Sequence, residues 1–103
     1  MMLNDRRRRP THPGELIRED ILPNLKLTQG EFADLLDVSR RTVVELVSER
    51  RAVSPDMAHR LAQVLNTTPE LWMNMQQAVD LWESLMRHES EYKMLRRADL
   101  ALV

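Results

Sequence analysis

The sequence predicts an all-α fold of five helices, the last of them long, and three observations carry that prediction. Leu, Glu, Arg, Met and Ala, which helices favour, recur along the chain. Only two glycines and 4% aromatic residues leave little material for hairpins. Four stretches, opening at Thr28, Ser39, Ser54 and Thr68, place a capping hydroxyl directly before a run of apolar residues at helical spacing.

At 103 residues, with 43% hydrophobic and 30% charged residues, the chain is long enough for one globular domain of modest core. No apolar run approaches the roughly 20 residues that cross a bilayer, and the N-terminal MMLNDRRRRP lacks the apolar stretch of a secretory signal. A soluble protein without membrane partners is expected. The absence of cysteine rules out disulfides and thiolate metal sites and fits a reducing cytoplasm. The formal net charge is −1, but its distribution is uneven. Arg6, Arg7, Arg8 and Arg9 form one basic cluster and Arg40, Arg41, Arg50 and Arg51 another, whereas Glu70, Asp80, Glu83, Glu89 and Glu91 load the C-terminal third. That asymmetry suggests one basic face with a partner; a well-solvated mixed surface is the alternative.

The first helix is predicted from Pro13, a favoured first helical residue, with Glu15 in its first turn and Leu16, Ile17 and Ile21 inward. It should stop near Leu22, because Pro23 disfavours helix in the residue before it. The second has the clearest start: Thr28 and Glu31 make a capping box, and Leu27 and Phe32 stand at the positions of a hydrophobic staple. Phe32, Ala33, Leu35 and Leu36 form its predicted buried side. The third begins after Ser39, with Val38 and Val43 as a second staple and Val43, Leu46 and Val47 facing the core. Between them lie only Asp37 and Val38, so the two helices cannot run antiparallel along their lengths, and the small Ala33 permits a close crossing. This is the geometry of a helix-turn-helix.

A fourth helix follows Ser54, with Pro55 first inside, Asp56 near its positive end, and Met57, Leu61, Val64 and Leu65 on one face. Thr68 caps the fifth, in which Leu71, Met75, Val79, Trp82 and Met86 recur at three- and four-residue steps as far as about His88. The expected organisation is a basic, flexible arm over residues 1–11, a helix-turn-helix domain over 12–88 and a tail over 89–103 whose conformation stays open.

Arg40 and Arg41 stand directly after a helix N-cap, where the helix dipole opposes cations by a few tenths to about 1 kcal/mol each. In a helix-turn-helix that end of the second helix meets the major groove. The dipole term is small beside the roughly 1–3 kcal/mol of one bidentate contact between Arg and guanine. Arg40, Arg41, Thr42 and Glu45, opposite the buried Val43 and Leu46, are therefore the predicted base readers. Glu45 can either accept from cytosine or hold Arg41 one turn earlier. Thr28, Gln29, Ser39, Ser48, Arg50 and Arg51 suit phosphates. Paired arginines on an exposed helix are otherwise only solubilising; the surrounding caps, short turn and basic exit loop favour the reading of DNA. The Arg6 to Arg9 cluster fits either a DNA-contacting arm or a solubilising tail.

The run LTQGEFADLLDVSRRTVVELVSERRAVSPDMAHRLAQVLNTTPELWMNMQQAVDLW, preceded by THPGELIREDIL, resembles the HigA family of antitoxins within the phage-repressor-like, lambda-repressor-like helix-turn-helix group. The general repressor pattern lies in TQGEFADLLDVSRRTV; THPGE and TTPELWMNMQQAVDL carry the narrower likeness. The resemblance implies base contacts from Arg40, Arg41 and Glu45, with Gln29, Ser48 and Arg50 near the backbone. One departure is Asp37, where such proteins commonly have glycine in a left-handed turn; Asp tolerates that conformation better than most residues. The resemblance further implies two roles: neutralising a small HigB or RelE-like toxin that cleaves messenger RNA, and repressing the operon that encodes both. A stand-alone helix-turn-helix repressor without a toxin is the alternative.

A toxin that cleaves RNA would be basic, so Glu15, Glu19 and Asp20 are candidates to face it, a solvated helix face being the plainer account. The fifth helix carries more apolar bulk than one face needs. Val79, Trp82 and Met86 are the predicted homodimer interface, which a palindromic operator would require, with two recognition helices about 34 Å apart. Trp72 is predicted as core. His12, His59 and His88 are scattered without metal-ligand spacing, and no phosphate loop or nucleophile elbow is present, so neither enzyme activity nor a cofactor is expected.

Overall fold

The computed structural model describes residues 8–99 and contains five helices among them. Helix α1 is continuous but changes register twice, through α-helical Pro13–Leu16, a π-turn over Ile17–Ile21 and α-helical Leu22–Leu25. Helices α2 (Gln29–Leu36), α3 (Arg40–Val47), α4 (Pro55–Leu65) and α5 (Pro69–Lys93) follow.

Every predicted hydroxyl cap is formed. Thr28 accepts from the Glu31 amide and Glu31 reaches back to the Thr28 amide, completing the capping box. Ser39, Ser54 and Thr68 accept from the amides of Thr42, Met57 and Leu71. At the other ends, Lys26, Asp37 and Asn66 adopt left-handed conformations that stop α1, α2 and α4. Asp37 does so at φ 56° and ψ 49°, so the aspartate in the turn makes the bend that glycine makes elsewhere.

Two boundaries differ from expectation. Helix α1 passes Pro23 and ends only at Leu25. The π-turn just before it moves the Leu22 amide onto the Ile17 carbonyl. Pro23 then falls in the first turn of a new α segment, where a missing N–H is tolerated. Helix α5 reaches Lys93, although its regular geometry lapses at His88 (φ −129°, ψ 17°).

The core is built where the helices cross. Ile17, Phe32, Leu36, Val43, Leu46, Leu61 and Trp72 are fully or almost fully buried, each such side chain being worth about 1.5–3 kcal/mol. Helix α1 packs on α3 and α5, α2 on α3 and α4, and α4 on α5. Leu35 was expected inside but is 55% exposed. Phe32, Ala33 and Leu36 take the inner face of α2, and Leu35 sits ~100° around the helix from Leu36. On α5 the inner stripe is Trp72, Gln76 and Val79 rather than one beginning at Leu71, which is exposed. Val79 is 1% exposed within the single chain, which corrects its assignment to a dimer interface. A side chain already sealed by its own domain offers no surface to a second copy.

Candidate nucleic-acid interface

The front of α3 is open and charged. Ser39, Arg40 and Arg41 are exposed, Thr42, Val44 and Glu45 are half-buried, and Val43, Leu46 and Val47 are turned inward. Burying that inner stripe against α1 and α2 is what commits the opposite stripe to solvent. Arg40 lies over the start of α2: its Cδ is 3.9 Å from the position a Cβ would take on Gly30. The aliphatic stem thus crosses from α3 to α2, and its guanidinium makes no hydrogen bond with the described residues. Thr42 turns its hydroxyl to Ser39, 2.9 Å away, and so rests in the cap.

Glu45 is the centre of the charged front. Its Oε1 accepts from Arg51 Nη2 at 2.7 Å and Nε at 3.1 Å, and its Oε2 accepts from Arg41 Nε at 3.2 Å. These arginines, Arg51 first, hold the carboxyl below the usual carboxylate range. Of the two roles open to Glu45 from sequence, the one formed in this chain is holding Arg41, and it holds Arg51 as well.

The predicted phosphate-facing residues divide. Thr28 and Ser39 are occupied as helix caps, although each stays exposed. Ser48 donates to the Val44 and Glu45 carbonyls at 2.7 and 3.2 Å and accepts from Arg50 Nε at 3.1 Å. Gln29 opens α2 half-exposed, and Arg50 is exposed at the exit of α3. Among the candidates for facing a toxin, Glu19 pairs with Arg18 at 2.7 Å and Asp20 accepts from Asn24 at 2.9 Å, both on the surface of α1. Glu15 is half-buried. Trp82 is half-buried and Met86 is 41% exposed on α5, with Leu81 at 64% beside them.

The rear of α3 is held by contacts that sequence reasoning did not foresee. His12 is buried and caps α1 through Nδ1, which accepts the Gly14 amide at 2.9 Å. Burial pushes its imidazole below the ordinary histidine range. Gly14 lies so close to α3 that a Cβ there would stand 1.9 Å from the Leu46 carbonyl oxygen. Glu49 follows α3 in a left-handed conformation (φ 64°) and binds Arg9 at 2.7 Å and Arg18 at 3.3 Å. Arg9 also reaches Glu83 on α5 at 3.2 Å, and Arg18 donates to the Val47 carbonyl. Arg9 is therefore the anchored end of the basic segment; Arg6 and Arg7 lie outside the described residues. The capping role of His12 was not legible in the sequence because histidine is not a usual cap. A glycine next to a proline at a helix start was the available signal for Gly14.

Arg9, His12, Glu49, Arg50, Arg51 and Glu83 border a polar cavity of about 160 Å³ between the exit of α3 and α5. Among the described residues, no group of three or more His, Asp or Glu side chains is placed to hold a metal ion, and no helix is long and apolar enough to cross a membrane.

A family model described as Helix-turn-helix matches residues 17–72. Antitoxin HigA-1 of Vibrio cholerae is 36% identical over 90 residues, spanning 87% of this chain and 85% of its own length. The chain belongs to the HigA-type helix-turn-helix family. Another relative, an HTH-type transcriptional regulator named YbaQ from Escherichia coli K12, is 45% identical over 76 residues, 74% of this chain and 67% of that one. The solved antitoxin GraA superposes with a TM-score of 0.84 at 39% identity, covering 88% of this chain and 99% of that chain. The Pseudomonas aeruginosa antitoxin HigA, solved with the higBA promoter, superposes at 0.83 with 33% identity over 89% of this chain and all of that one (100%). This HigA-type chain thus matches solved relatives over 88–89% of its length.

Proposed function

We propose that this chain is an antitoxin that neutralises a HigB or RelE-like messenger-RNA-cleaving toxin and represses the operon encoding both by binding a palindromic operator as a homodimer. The observation that carries the DNA-binding half is the front of α3. Arg40 and Arg41 stand exposed immediately after the Ser39 cap, on a helix whose other face is sealed into the core. That presentation suits the major groove, where the N-terminal residues of a recognition helix meet base edges. Relatives solved with a promoter or operator support the same reading, among them GraA in complex with its operator at a TM-score of 0.83.

In this reading Arg40 and Arg41 contact bases, and Gln29 and Arg50, with the capped ends at Thr28 and Ser39, lie along the phosphates. The half-exposed Trp82 and exposed Met86 on α5 join two copies and set the spacing of the half-sites. The toxin is a basic protein, and Glu19 and Asp20, with Glu15 behind them, present the acidic surface of α1 to it.

The test is growth of cells in which a neighbouring small basic gene is induced, with and without this chain supplied from a second plasmid. Arrest relieved by the chain, and relieved equally by R40A/R41A, assigns neutralisation to a surface other than α3. Arrest that the chain does not relieve leaves the repressor alone.

A further inference from the structure

We infer that Glu45 is a positioning residue that prepares Arg41 and Arg51 for DNA by holding one edge of each guanidinium, rather than a reader of bases itself. The inference rests on the DNA-binding half of the proposed function and adds Arg51, as a pre-arranged phosphate contact, to the site.

The geometry carries it. Glu45 lies one helical turn after Arg41 and, across the exit loop, six residues before Arg51. Its two oxygens are divided between them, Oε1 to Nε and Nη2 of Arg51 and Oε2 to Nε of Arg41. With Nε engaged, the Nη1 and Nη2 groups of Arg41 remain as an end-on fork, the pair of donors that matches O6 and N7 of guanine. Arg51 is gripped by its side-on edge, so Nη1 is left for a phosphate oxygen. The side chain of Arg41 is 85% exposed, while that of Glu45 is only 26% exposed. The carboxylate therefore sits at the base of the arginines, on the helix, while the cations reach outward. A carboxylate placed so, with both oxygens already accepting, is poorly disposed to receive the N4 donor of a cytosine. Arg40 offers a control on the same helix turn, because it has no carboxylate partner among the described residues. An arginine loses rotamer freedom when it docks, and one that is already held loses less at the moment of binding.

The first measurement needs no DNA. In the free chain, 15N relaxation of the arginine Nε–Hε groups is expected to show Arg41 and Arg51 more ordered than Arg40, and E45Q is expected to free both. Equal mobility of the three arginines in the native chain overturns the inference. The second uses the duplex that the native chain enriches from a randomised DNA library. E45Q removes a negative charge, so affinity for unrelated duplex should rise while the ratio of enriched to unrelated binding falls by about ten-fold. R41A should then cost much less in E45Q than in the native chain. Additive losses, with discrimination lost at a single cytosine, would make Glu45 a reader and overturn positioning. Failure to enrich any duplex removes the DNA reading itself, and the relaxation result still decides whether Glu45 holds the arginines.

Discussion

The two ends of α3 are held in opposite ways. Its rear is locked against backbone and half-buried charge: Gly14 abuts the Leu46 carbonyl, Arg18 binds the Val47 carbonyl, and Glu49 ties Arg9 and Arg18 together. The front carries the exposed Arg40 and Arg41 and one ion-paired cluster around Glu45. Close packing of backbone tolerates no intermediate position, whereas long exposed side chains adjust at little cost. The contrast suits a helix that must enter a groove at a defined angle while its tips adapt to bases.

The largest effect expected from breaking this arrangement is at Gly14. Gly14→Ala forces a methyl into the Leu46 carbonyl, where neither backbone yields easily, and should destabilise the fold by about 3 kcal/mol, the upper end for overpacking. Urea unfolding measures it. A loss under 0.5 kcal/mol would mean that α1 shifts freely on α3 and that the rear is not locked.

At the front, Arg40→Ala or Arg41→Ala should lower affinity for the enriched duplex by about 1–3 kcal/mol. The urea midpoint should stay essentially unchanged, as expected for exposed positions. If titrations by gel shift match those of the native chain, the groove assignment is wrong.

The rear should also respond to pH through His12. Its imidazole is pushed below the ordinary value of 6.5 by burial, so the native state resists a proton that the unfolded chain accepts. The associated stability is fully present above about pH 6.5 and is lost as pH falls from there through the native imidazole's own value. Protonation would also take the lone pair that caps the Gly14 amide. His12→Asn keeps a capping acceptor and should flatten this slope between pH 7 and pH 5. An unchanged slope in thermal melts would move the pH dependence elsewhere.

The smallest effect belongs to the edge of the front. Arg50→Ala should weaken all duplexes alike and reduce the salt slope of binding by about one. Selective loss for one sequence would make Arg50 a reader.

Much of this architecture is legible along the chain because it is local. Thr28 with Glu31, Ser39 with Thr42, and the apolar spacing of Val43, Leu46 and Val47 all lie within one or two turns, so they give α2, the turn and α3 with their inner faces. The exposed position of Arg40 and Arg41 follows directly, and so does the left-handed turn at Asp37 once two helices are joined so tightly. Other features depend on partners that local spacing does not encode. Arg9 meets Glu83 across 74 residues and Glu49 across 40. Gly14 is required by a carbonyl on α3, and Glu45 engages Arg51 only because the exit loop turns back over the helix. Trp72 was expected in the core and Val79 on the apolar stripe, but the burial of Gln76 and the exposure of Leu71 came from how α5 rolls against α4. A helical period defines a stripe to within about one residue, and the packed neighbours decide which edge of the stripe is sealed.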